Sequence, residues 1–268
     1  MQKIHLSLLA SLLLSSVSTE VAARDVTVMI SGGFKAALEK LAPQFKAETG
    51  DNIILISGPS MGKTLQAIPA RLARGENADV VIMVGDALSN LEKDNWLLPG
   101  SRVELADSSI GMVVKKGDPE PNIKTDADLR NTLLQAKSIA YSDSASGRYI
   151  SSHLFKKLDI EDKVKTKAHM IQRIPVASEV AKGNYAVGFQ QVSELLPVPG
   201  VTFIGELPED VQYVTRFAGA VVAKSHHGQE GKALLKFLSS TEVQKTIRAT
   251  GMRSVTAELP VKQHDTVQ

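Results

Sequence analysis

Cysteine is absent from the 268-residue chain, which excludes disulfides, thiolate-bound zinc and thiol catalysis. Aromatic residues are scarce, with one Trp and four Tyr, and no basic stripe interrupts the scatter of 31 Lys and Arg among 29 Asp and Glu. A formal charge of +2 in that arrangement gives no surface for nucleic acid. Long apolar runs are also missing beyond the amino terminus. No other segment reaches the roughly 18 apolar residues of a membrane span, so stable membrane insertion is not expected. Stability must come from packing, and a chain of this length lies where a single core begins to divide into two domains.

What is present begins with an export signal. Residues 1–23 combine Lys3, an apolar run over 6–14 and the small-residue pattern Val21-Ala22-Ala23 that a signal peptidase accepts. The fold is expected to start near Arg24, in the periplasm, with no Cys near the cleavage point to carry a lipid anchor. Apolar residues at 26–30 then read as a buried strand, and Phe34, Leu38, Leu41 and Phe45 follow at helical spacing. Residues 53–56 and 78–84 predict further strands around a helix over 64–75. From 108 a second unit opens, with a strand over 110–114, helices over 125–134 and 148–158, a strand over 138–141, and strands near 169–174 and 185–189 flanking a helix over 176–182. Residues 211–222 are extended enough to recross, with a register break near Gly219, and helices over 229–238 and 241–250 follow. This alternation implies an α/β fold with mainly parallel sheets. The expected division is lobe one at 24–107 plus 219–257, lobe two at 108–218, and a tail at 258–268.

Two polar loops carry the chemistry. Ser57-Gly58-Pro59-Ser60-Met61-Gly62-Lys63-Thr64 and Ser142-Asp143-Ser144-Ala145-Ser146-Gly147-Arg148 each follow a strand-like run, which points to a small anion held between two lobes. The first invites comparison with a nucleotide phosphate loop, but that motif needs Gly where Ser57 stands, and Pro59 lacks an N–H donor. Hydroxyls of Ser60 and Thr64 and the N–H groups of the next helix start suit another anion, with Lys63 either adding charge or lying solvated on a turn. His226-His227 has no convincing third ligand for a metal, and no cofactor is implied.

The chain resembles the periplasmic molybdate-binding-like family, which has the two-lobed type II periplasmic binding protein fold with an interlobe ligand cleft. The likeness is carried by Ser31-Gly32-Gly33-Phe34 after the first strand, Gly58-Pro59-Ser60 after the second, Asn77-Ala78-Asp79-Val80-Val81-Ile82 at the third, and the run from Ser138 to Gly147 in the second lobe. The resemblance implies an anion site formed by the loops around Gly32, Gly33, Ser60 and Met61, by Ser144 or Ala145, by Val176, and by Gln190 or Gln191. Gln replaces the Tyr expected of a molybdate receptor and Gly33 replaces a hydroxyl residue, and both departures weigh against molybdate.

The chain also resembles an aconitate isomerase branch of that family. This implies interconversion of trans- and cis-aconitate by allylic proton transfer, with Lys63, Arg148 and Arg173 on the substrate carboxylates and Arg216 near the interlobe edge. Glu179 and Tyr141 are the candidate catalytic residues, with Tyr149 and His169 as alternatives; the residues alone do not select among them. The other function the resemblance implies is a receptor that delivers a small carboxylate or an oxyanion to an ABC permease. A monomer is expected in either case.

Overall fold

The computed structural model describes residues 23–255; the export signal and the tail at 258–268 lie outside the described residues, Ala23 excepted. Its β-strands form two sheets. The first contains β1 (Asp25–Ile30), β2 (Asn52–Ser57), β3 (Val80–Val84), β4 (Val103–Ser108), β10 (Thr215–Val221) and β11 (Arg253–Ser254), in the order β11-β4-β10-β3-β1-β2. The second contains β5 (Ile110–Lys115), β6 (Ile139–Ser142), β7 (Ala168–Ile171), β8 (Val187–Gln191) and β9 (Val201–Glu206), in the order β7-β6-β8-β5-β9. Helices flank both, and each sheet has its own apolar core. This is the two-lobed type II periplasmic-binding-protein arrangement.

The apolar periodicity acts as expected in the first unit. Helix α1 (Gly32–Thr49) buries Phe34, Ala37, Leu38, Leu41 and Phe45 against the sheet, and ends at Gly50, whose φ of 81° suits a glycine. Val80, Val81, Ile82 and Met83 are fully buried in β3, which is covered on both faces.

The sheets are mixed rather than mainly parallel. β1 pairs in parallel with β2 and β3, and β6 with β7 and β8, but β10 runs antiparallel to β3 and β4, and β5 antiparallel to β8 and β9. The chain crosses once from β4 to β5 through Ser109 and returns before β10, and strands that recross arrive against the direction of the βα units. β10 joins the first sheet from Thr215, ahead of the Gly219 break expected from the sequence, and its register shifts between Phe217 and Ala218. The helix expected over 64–75 is confined to Ile68–Ala73. Pro69 suits a helix start, and the residues before it remain a loop that faces the other lobe.

Candidate functional site

The carboxyl ends of the parallel strands in both sheets converge on one cavity of about 470 Å³. Ser31–Gly33 enter it after β1, Ser57–Ser60 from the end of β2, Val84 at the end of β3, Ser142–Ala145 from the end of β6, Arg173–Pro175 after β7, Gln190–Gln191 at the end of β8, and Ser193–Glu194 just beyond it. This is where α/β sheets offer helix starts and loop N–H groups to a ligand.

Lobe one supplies hydroxyls. Ser60 is 2 % exposed and its Oγ accepts the Val84 N–H at 2.9 Å, which leaves the hydroxyl proton to donate. The Oγ of Ser31 and Oγ1 of Thr64 line the same cavity, buried and without a hydrogen-bond partner among the described residues. A buried hydroxyl left so costs about 1–3 kcal/mol, so a ligand that engages it recovers that penalty. The first N–H groups of α1 have no intrahelical acceptors, and they add the positive end of an 18-residue helix.

Lobe two answers with a serine cluster. Ser142 Oγ lies 2.9 Å from both Ser144 Oγ and Ser146 Oγ, and Ser144 precedes the Ala145–Tyr149 helix start. Gly147 is required there, because a Cβ would collide with the Ser142 carbonyl. Gln191 donates to Thr215 Oγ1 at 3.1 Å while its Oε1 has no partner among the described residues. Arg173 brings a guanidinium with no ion pair among the described residues, on a backbone held at φ 69°, an uncommon conformation for a non-glycine residue.

The lobes already touch. Ser193 Oγ donates to the Gly33 carbonyl at 2.6 Å, and each of the two glycines after β1 lies against a side chain. A Cβ at Gly33 would strike the Phe217 ring, which accounts for the missing hydroxyl residue there; a Cβ at Gly32 would strike Glu194 Oε1.

Glu194 is the group sequence reasoning missed. It sits in the short Val192–Leu195 helix immediately beyond β8, half-buried, with Oε1 accepting from Gln190 Nε2 at 2.9 Å. Burial pushes its carboxyl up to about 7; the Gln190 hydrogen bond opposes the rise and the nearby Asp143 charge adds to it. Such a group exchanges protons near neutrality inside an anion site. The available signal was positional: Glu194 lies just past the carboxyl end of a strand, where α/β sheets bind ligands.

Other expectations separate clearly. Gly32, Gly33, Ser60, Ser144, Ala145, Arg173, Gln190 and Gln191 line the cavity. Val176 lies behind them, its N–H donated to Gln190 Oε1 at 3.0 Å and therefore engaged within the protein. Met61 packs on the first core, and Lys63 and Arg148 are exposed outside the lining. Arg216 pairs instead with Asp107, at 2.5 Å, and with Glu104. Glu179 also lies outside the cavity lining; bonds from Lys182 at 2.9 Å and Asn184 at 2.8 Å lower its carboxyl, the reverse of what a neutral-pH base needs. Tyr141 packs edge-on against Phe155, and burial raises its phenol further from neutrality. Tyr149 donates to the Val211 carbonyl at 2.7 Å, His169 faces Tyr185, and His227 contacts Asp79. Among the described residues, no cluster of three metal-ligating side chains occurs.

Comparison with known proteins fits this geometry. The profile of the family described as bacterial extracellular solute-binding protein matches residues 26–253. The chain belongs to that family. Membership agrees with the periplasmic location that the amino terminus implies. An aconitate isomerase from a Pseudomonas species is 43% identical over 253 residues, covering 93% of this chain and 96% of that one. Among solved structures, the sulfate-binding protein SubI from Mycobacterium tuberculosis H37Rv superposes with a TM-score of 0.68 at 18% identity, covering 87% of each chain. The periplasmic molybdate-binding protein of Azotobacter vinelandii gives 0.65 at 18% identity, over 85% of this chain and 98% of that one. At such identities these two establish the fold alone. The chain is a solute-binding protein of the type II fold.

Proposed function

We infer that the cleft binds a small polycarboxylate and that the protein is an aconitate isomerase, interconverting the trans and cis forms by moving one allylic proton. The observation that carries this is the cavity itself. Hydroxyls of Ser31, Ser60 and Ser144 and the start of α1 suit one carboxylate, Arg173 suits a second, and about 470 Å³ lies in the range of small-molecule sites. A tetrahedral oxyanion would use only a small part of that space and would leave Arg173 without a role. The 43% identity with an aconitate isomerase over nearly the whole of both chains supports the same reading.

Binding in such a cleft does chemical work. Closure removes water from the carboxylates, so that N–H dipoles and guanidinium act on them at short range and low dielectric. When the methylene proton leaves, negative charge spreads over the allylic carbons into the terminal carboxylates, and donors that hold those carboxylates stabilise it. No redox cofactor is required for this exchange.

The second reading is a receptor that hands a small carboxylate or oxyanion to an ABC permease. The family description favours it, since a receptor needs the cradle and nothing more. Proton NMR of the mature protein with trans-aconitate, against a boiled control, separates the two. Growth of cis-aconitate signals supports the isomerase; binding by calorimetry without conversion supports the receptor, and absence of binding to any polycarboxylate refutes the proposed ligand class.

A further inference from the structure

An allylic isomerisation needs one group that takes a proton beside the bound anion and gives it back. We propose that Glu194 is this base, with Gln190 as the residue that positions it; this rests on the isomerase reading above.

Placement comes first. Glu194 lines the cavity together with Ser31, Ser60 and Ser144, and its Oε1 lies against the start of α1 so closely that a Cβ at position 32 would displace it. Its orientation is fixed by a relay: the Val176 N–H donates to Gln190 Oε1 at 3.0 Å, and Gln190 Nε2 donates to Glu194 Oε1 at 2.9 Å. Oε1 is thereby occupied. Oε2 has no hydrogen-bond partner among the described residues and is the oxygen free to carry the proton.

The remaining charged groups of the cavity serve less well. Lys35 is a cation 3.6 Å from Glu39, both on α1 and largely solvated, and the Arg173 guanidinium offers donors and no acceptor. Besides Glu39, Asp143 is the remaining carboxylate of the lining, and its charge acts on Glu194 in the direction that favours the protonated form. A carboxyl held near neutrality exchanges protons at both stages of the reaction, which an ordinary solvated carboxylate does poorly.

The step balances without a co-reactant. The methylene C–H bond breaks, its proton passes to Glu194 Oε2, and its electron pair forms a new C=C bond to the central carbon. The old C=C bond opens toward the former vinyl carbon, which takes a proton from Glu194 and becomes the new methylene. One proton is lost and one gained, and no oxidant or reductant enters.

The test compares the wild-type protein, Glu194→Gln, Glu194→Asp and Asp143→Asn, with trans-aconitate as the probe in both calorimetry and NMR. Glu194→Gln should bind within about threefold of the wild-type affinity, or tighter, while conversion falls by about 10²–10⁴, the usual contribution of a general base. Glu194→Asp keeps a carboxyl and should retain conversion at reduced kcat. Asp143→Asn should move the acid limb of the kcat/KM profile to lower pH. Wild-type conversion with Glu194→Gln still within threefold of it overturns the base assignment and leaves the isomerase reading standing. Wild-type binding with no conversion overturns that reading, and the base with it. An acid limb unmoved in Asp143→Asn overturns the part given to Asp143.

Discussion

Replacing Glu194 by Gln should make the protein more stable above about pH 4.5, by an amount that grows until the pH passes about 7. The folded carboxyl is raised from an ordinary 4.5 to about 7, chiefly by burial. It therefore holds its proton to higher pH than the same group in the unfolded chain. Between those two values the unfolded chain binds fewer protons, so wild-type stability falls as pH rises through the window; the loss is absent below the lower value and complete above the upper. At about 1.4 kcal/mol for each pH unit the full loss is about 3 kcal/mol. The side chain is partly open to the cleft, which screens its charge, and the start of α1 favours an anion by about 0.3–1 kcal/mol. Burial still dominates, and the net cost of the charge at pH 8 is about 1–2 kcal/mol. Gln keeps the acceptor for Gln190 and carries no charge, so it escapes that cost. For a chain of this size the gain corresponds to a Tm higher by about 2–8 °C at pH 8, shrinking toward zero near pH 4.5. Circular dichroism melts from pH 4.5 to 8.5, in buffer free of carboxylates and phosphate, would show it. A constant difference across that range, or a less stable variant at pH 8, refutes the assignment of a desolvated, proton-binding carboxyl at this position.

Ser60→Ala should act twice, because the hydroxyl serves both fold and cleft. Loss of the acceptor for the Val84 N–H lowers stability by about 1–3 kcal/mol, and loss of the donor weakens anion binding by about tenfold or more; unchanged melting together with unchanged calorimetric affinity counts against both roles. Gly33→Ser, which restores the hydroxyl residue of molybdate receptors, should cost about 1–3 kcal/mol in denaturant titration because the Phe217 ring occupies the space, and adding Phe217→Ala should recover part of it; additive effects would show that the two positions are independent. Arg173→Gly should raise stability by about 1 kcal/mol by relieving a positive φ, yet weaken binding of a tricarboxylate far more than of acetate; equal loss for both ligands removes Arg173 from the proposed carboxylate clamp.

Much of the fold was legible because its burial is periodic. The spacing of Phe34, Leu38, Leu41 and Phe45 marks α1, and the unbroken apolar run at 80–84 marks a strand covered on both faces. The strands that escaped notice lack a regular apolar alternation: β4 mixes half-buried and buried positions around Glu104, β9 is half-buried except at Phe203 and Glu206 and lies between Pro199 and Pro208, and β11 has two residues. Antiparallel recrossing was hidden for another reason: direction within a sheet is a property of partner strands, and β10 meets β3 across more than a hundred residues of chain.

The site divided along a similar line. Loops that follow strands could be placed from sequence, and Ser60 and Ser144 line the cavity from them, while Gln190 and Gln191, implied by the family resemblance, line it from the end of β8. Long charged side chains could not, since Lys63 and Arg148 share those loops and still point away to solvent. Glu179 and Glu194 show the limit most sharply. Both lie in the first turn of a short helix at the edge of lobe two, and composition offers nothing to choose between them. Lys182 and Asn184 satisfy the first, which lowers its proton affinity, while the second is pressed against the start of α1 by the meeting of the lobes, which raises it. The difference arises only when lobe one closes over lobe two, and no stretch of sequence contains that contact. A receptor and an isomerase can therefore share nearly every loop of this cleft and differ in whether one carboxyl is desolvated beside the bound anion.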